Sequence, residues 1–169
     1  MRRNLSWALL LAGLCLLLYP SLCQRISTIR QQRAVLSDAG LVGILEIPAL
    51  ELTLPIRQGT SEDTLRKGVG LLEGTEFGHH AVLCGHRGLP EARLFRDLDD
   101  LQAGDVFSVT VGENTALYQV DQILLVTPED TAALLPEEGL ALCTLLTCTP
   151  YGINSHRLLV RGQRVSKMP

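Results

Sequence analysis

The chain has 169 residues, a formal net charge of −3 and a pI near 5.8. That balance supplies no broad basic surface, which excludes nucleic acid and anionic lipid as partners of a globular part. Once the first two dozen residues are set aside, about 145 remain, enough for one domain with a single core.

Met1-Arg2-Arg3 precedes an apolar stretch from Leu5 to Cys23 whose nine leucines contribute roughly −3 to −5 kcal/mol to membrane insertion. Residues 1–23 therefore enter a membrane, either as an uncleaved single-pass anchor with an extracellular domain, the favoured reading, or as a signal peptide. In the second case Ser21-Leu22-Cys23 offers the cleavage region and the chain is secreted. Arg25, Arg30 and Arg33 on one side balance Arg2 and Arg3 on the other, so charge does not choose the orientation. Residues 24–41 are polar and read as a tether, and 42–166 as the globular domain.

Within that domain the pattern is one of short strands. Gly43 to Pro48, Leu52 to Ile56 and Ala81 to Cys84 are apolar runs bounded by glycine or proline. Ser61 to Arg66 reads as a short helix with Ser61 as its N-cap. Asp105–Val111 and Ala116–Val126 make a hairpin around Gly112-Glu113-Asn114, and a loop through Pro128 and Pro136 follows. Leu140–Cys148 and Arg157–Val165 are the last strands. Many short strands with little helix predict a mainly β fold, a closed barrel or a sandwich, of which the barrel is favoured.

Five cysteines are present, and Cys15 and Cys23 fall in the membrane-entering segment. Cys84, Cys143 and Cys148 remain, an odd number, so at least one exported thiol stays free. Such a thiol is exposed to oxidation unless it performs chemistry. Cys148 is the candidate, because it ends an apolar strand just before Pro150, which cannot donate to a sheet ladder. Tyr151-Gly152 and Asn154-Ser155 supply turn residues, and Arg157 opens the next strand. His86 follows the Ala81–Cys84 strand and is flanked by Gly85 and Gly88. The three side chains are expected to converge at one mouth of the shell. A thiol, an imidazole and a guanidinium are what acyl transfer from a peptide requires: a nucleophile, a proton donor to the leaving amine and a cation facing the oxyanion. At pH 7 only ~3% of isolated thiols and ~25% of isolated imidazoles are charged, so under ~1% of independent pairs are thiolate and imidazolium together.

The pattern T-L-x-T-C-T-P-Y-G-x-N-x-H-R-L-L-V-R-G, with Gly85-His86-Arg87-Gly88-Leu89-Pro90 upstream, resembles the sortase family, specifically class C. Ile47-Pro48 leading to Leu54-Pro55-Ile56, Gly59-Thr60-Ser61 and Gly68 to Thr75 extend the resemblance over about residues 43 to 165. It implies an eight-stranded β-barrel and a cysteine transpeptidase with Cys148 as nucleophile, His86 as acid and Arg157 as substrate and oxyanion clamp. The implied substrate is an LPXTG-like sorting signal, cleaved between Thr and Gly through a thioester. The implied acceptor is an amine, a pilin lysine in pilus assembly or a cell-wall precursor in surface-protein anchoring. Class C enzymes usually carry an Asp-Pro-aromatic lid tripeptide, which 24–42 lacks, and often a second, carboxy-terminal membrane helix, which this sequence does not contain.

Neither the residues nor the resemblance calls for a cofactor or a metal. Cys84, His86 and Cys148 lack a fourth zinc ligand at any known spacing, and no acidic cluster suggests calcium. Cys143 reads as a small core filler, His79-His80 as solvated loop residues, and Arg87, Arg161 and Arg164 as surface charges. Cys84 shares a strand face with His86 and is a candidate to form a disulfide with Cys148 under oxidation. The alternative to an enzyme is a non-catalytic peptide-binding barrel.

Overall fold

The computed structural model describes residues 40–88 and 93–165. Its strands are Leu41–Ile47 (β1), Leu52–Gln58 (β2), Val69–Leu71 (β3), His80–Cys84 (β4), Val106–Val111 (β5), Asn114–Val126 (β6), Leu142–Thr149 (β7) and His156–Val165 (β8). They close into a barrel in the order β1-β2-β3-β4-β7-β8-β6-β5. The expected eight-stranded barrel is therefore observed. The expected membrane helix, and all but the end of the expected tether, lie outside the described residues. Among the described residues no helix is long and apolar enough to cross a membrane.

Side-chain alternation along the strands builds the interior. Leu45 and Ile47, Leu54 and Ile56, Ala81 and Leu83, Phe107 and Val109, Cys143 and Leu145, and Leu158 and Val160 are alternate residues that meet in one cluster. Each large apolar side chain buried there contributes about 1.5–3 kcal/mol. Phe107 and Tyr118 face each other across β5 and β6 with ring centroids 5.4 Å apart. Burial raises the Tyr118 hydroxyl to about 12. Cys143 is fully buried in this cluster, and burial pushes its thiol far up, as the filler reading expects.

One α-helix is described, Glu62–Lys67 (α1), and its cap is the expected one: the Thr64 amide donates to Ser61 Oγ at 3.3 Å. Glu62 and Asp63 begin it and Arg66 and Lys67 end it, the arrangement the helix dipole favours. The unforeseen strand is β3. Its residues, Val69, Gly70 and Leu71, are all buried, so they show no alternation, and a central glycine weakens the strand signal further. It forms by pairing parallel to β2 and antiparallel to β4, contacts that only the folded chain supplies.

Gly162 of β8 lies beneath the stacked rings, where a Cβ would come within 2.7 Å of Phe107. Gly162→Ala is therefore expected to destabilise the fold by ~1–3 kcal/mol through overpacking. Urea unfolding monitored by far-UV circular dichroism and tyrosine fluorescence should show a lower midpoint with an unchanged slope.

Candidate active site

The position of each candidate residue follows from strand register. β7 and β8 are antiparallel, and Cys148 stands directly opposite Arg157. β4 and β7 are parallel, pairing His80 with Leu142 through to Cys84 with Leu146. The same register continues past the end of β4: the Gly85 amide donates to Leu146 O at 3.0 Å and Thr147 Oγ1 donates to Gly85 O at 2.8 Å. One step further, Arg87 Nη1 donates to Thr149 Oγ1 at 2.9 Å, again across 62 positions. His86 is thus level with Cys148, and His86, Cys148 and Arg157 form a row across three adjacent segments, each about 5 Å from the next.

This row lies at one end of the barrel, where β4 and β7 finish and β8 begins, and on its outer face. Cys143, Leu145, Leu158 and Val160 point into the core, so the alternate residues Cys148 and Arg157 point outward. Both are partly exposed. The Thr149-Pro150 peptide is cis, and Gly152 and Asn154 adopt positive φ in the turn that returns the chain to β8. Arg157 Nη1 donates to the carbonyls of Asn154 and His156, each at 3.0 Å, which ties the guanidinium to that turn.

His86 is held mainly through its backbone. Its carbonyl accepts from the Phe95 amide at 3.1 Å. Phe95 is fully buried, and its ring leaves no room for a side chain at residue 85, where a Cβ would approach within 2.6 Å. Glycine before His86 is therefore a packing requirement. The ring Nε2 is shielded from solvent without a hydrogen-bond partner among the described residues. Glu62 Oε2, from the first turn of α1, lies 3.6 Å from it, beyond hydrogen-bond range.

Cys84 faces outward beside the row. Burial first, and the neighbouring Cys148 second, raise its thiol to about 11. Its ladder partner is Leu146, two residues before Cys148, so the two cysteines are diagonal neighbours. Strand spacing and rise put their Cα atoms roughly 8 Å apart, beyond the ~7 Å limit for a disulfide. Both thiols are free, and the bridge entertained from sequence needs backbone movement to form.

Three residues read as ordinary from sequence have specific partners. His80 is buried, with Nδ1 2.9 Å from Leu135 O and Nε2 2.8 Å from Thr144 Oγ1, so it pins the β6–β7 loop and is not a solvated loop residue. Arg161 pairs with Asp121 and with Glu137 of the same loop, and the Asp121 hydrogen bond foremost raises its already high pKa. Arg87 joins the segment after His86 to the one after Cys148. An open depression lined by His79, Glu137 and Glu138 lies at the far end of β4 and β7, about 20 Å along the strands from Cys148. Among the described residues no three His, Cys, Asp or Glu side chains gather closely enough to hold a metal ion.

Because burial keeps Cys84 and Cys143 protonated, iodoacetamide at pH 8 is expected to label Cys148 well before either of them. With a pKa of about 11, roughly one Cys84 thiol in a thousand is ionised at that pH. Peptide mass spectrometry of the native chain checks this, and equal labelling of Cys84 would contradict the described burial.

The sortase domain model matches residues 45–165. Sortase D of Bacillus subtilis is 31% identical over 130 residues, covering 73% of this chain and 64% of that protein. The chain thus spans less than two thirds of the length of the curated relatives it matches. The structure of Streptococcus pneumoniae sortase C superposes with a TM-score of 0.74 at 47% identity, covering 79% of this chain and 73% of that one. Streptococcus agalactiae sortase C1 gives a TM-score of 0.74 at 47% identity over 77% and 70%. With a family model that matches from within β1 to the end of β8, the chain belongs to the sortase family.

Proposed function

We propose that this chain is a cysteine transpeptidase that cleaves an LPXTG-like sorting signal between Thr and Gly and transfers the acyl part to an amine. The observation that supports the reading is the strand register that sets Cys148 opposite Arg157 and level with His86, just past the end of β4. Cys148 Sγ attacks the Thr carbonyl carbon, and the electron pair moved onto oxygen faces the Arg157 guanidinium. As the tetrahedral species collapses, the C–N bond breaks and His86 gives its proton to the departing glycine amine. A thioester on Cys148 remains. The acceptor amine then attacks that carbonyl, loses a proton to His86 and expels the thiolate, so an amide is formed and both catalytic groups are restored.

The favoured acceptor is a pilin lysine, making this a pilus-assembly enzyme, because the pneumococcal relative has pilin substrate specificity. Transfer to a cell-wall precursor shares the first half-reaction and differs only in the amine. The reading includes a cell-surface location in which residues 5–23 hold the domain at the membrane.

The test is incubation of the purified chain with LPXTG-type peptides, with and without an amine acceptor, read by product mass. A joined product that appears only with the amine, and a thioester adduct on Cys148, are expected. Cys148→Ala should abolish both. His86→Ala should lower kcat/KM by ~10²–10⁴-fold, and Arg157→Ala by ~10²–10³-fold. Hydrolysis unaffected by amines would instead indicate a peptidase. No adduct with any sorting peptide would favour the binding barrel.

A further inference from the structure

We propose that Arg87 is a positioning residue that clamps the segment carrying His86 to the strand carrying Cys148, an inference that rests on the catalytic reading of those two residues. The regular β4 ladder ends at Cys84. The Gly85–Leu146 and Thr147–Gly85 bonds carry the pairing one residue further. At His86 itself the carbonyl is taken by the Phe95 amide, and the ring Nε2 is buried with no hydrogen-bond partner among the described residues.

Arg87 restores the connection immediately beyond. Nη1 donates to Thr149 Oγ1 at 2.9 Å and Nη2 donates to Asp99 Oδ2 at 2.6 Å. Asp99 belongs to the 3-10 turn Leu98–Asp100, which follows the buried Phe95. The Arg87 side chain is only 14% exposed, whereas Asp99 is 52% exposed, so the guanidinium is enclosed and its carboxylate partner faces solvent. His86 and Cys148 are consequently bracketed by Gly85 with Thr147 on one side and by Arg87 with Thr149 on the other. A planar guanidinium spans two acceptors in fixed directions, which an ammonium does not. Proton transfer from His86 to a leaving amine depends on placement, and a misplacement of about 1 Å costs ~10²-fold in rate. The clamp therefore acts on turnover more than on peptide binding.

The full-length chain in detergent, an LPXTG peptide and an amine acceptor test this by steady-state kinetics. Arg87→Ala should lower kcat ~10–100-fold with KM changed by less than about twofold. Thr149→Val should reproduce part of that loss, and Thr149→Ser, which keeps the hydroxyl, should recover it. The double variant Arg87→Ala with Thr149→Val should be no worse than Arg87→Ala alone, because both remove one interaction. Multiplicative losses, an effect confined to KM, or an unchanged kcat would overturn the proposal. Should Arg87→Ala not fold, the Thr149→Val and Thr149→Ser pair decides alone. NMR contacts between the His86 ring and the Cys148 methylene supply a readout independent of turnover. They should persist in wild type and Thr149→Ser and weaken in Thr149→Val and Arg87→Ala, and contacts unaltered by those two variants would overturn the clamp. If the wild-type chain proved inert toward sorting peptides, the catalytic reading would fall while those contacts still tested the clamp.

Discussion

Parallel pairing of β4 with β7 across 62 positions governs what the rest of the site can do. Antiparallel β7 and β8 are near neighbours in sequence, and their connection brings Arg157 opposite Cys148 through a short turn. His86 has no such local route. It reaches Cys148 only because His80 to Cys84 dock beside Leu142 to Leu146, with β5, β6 and the following loop contained in the closed segment. Loop-closure entropy opposes a contact of that span, and the burial of Ala81, Leu83, Cys143 and Leu145 offsets it.

The location of the row on the outer wall explains how one barrel serves both stability and chemistry. Inward residues of β4, β7 and β8 include Ala81, Leu83, Cys143, Leu145, Leu158 and Val160, while the outward positions carry the thiol, the guanidinium and the buried His80. A reactive side chain can change on the outer face without disturbing the core. Two positions link the faces: Gly85, which must lack a side chain to clear Phe95, and Thr147, whose hydroxyl satisfies the Gly85 carbonyl. Cys84 shows the limit of that arrangement, since burial first, and Cys148 second, raise the pKa of a second thiol on the same face.

Much of this was readable from residues alone, for identifiable reasons. The Ser61 cap, the β5–β6 hairpin and the strands of β1, β2, β4, β7 and β8 depend on local spacing, turn residues and apolar runs. Cys148 and Arg157 could be paired because a turn lies between them. The three-residue β3 is hidden because buried strands lose their alternation, and the outward direction of the row is set by which alternate residues face the core, a choice only the closed barrel makes. Arg87 looked like a solvated charge because its partners, Thr149 and Asp99, are set by tertiary contacts. The partners of His80 are hidden for the same reason: Thr144 meets it only across the β4–β7 pairing, and Leu135 only where the β6–β7 loop folds back.

If register sets the row, thiols placed at its two ends must each bridge to Cys148. In a Cys84→Ser background, His86→Cys and separately Arg157→Cys should form a disulfide with Cys148 under mild oxidation, since both positions are within the ~7 Å Cα range that a disulfide spans. Peptide mass spectrometry under non-reducing conditions measures it. Both bridges in high yield are expected, whereas a His86→Cys variant that leaves Cys148 free would contradict the register on which the site is built.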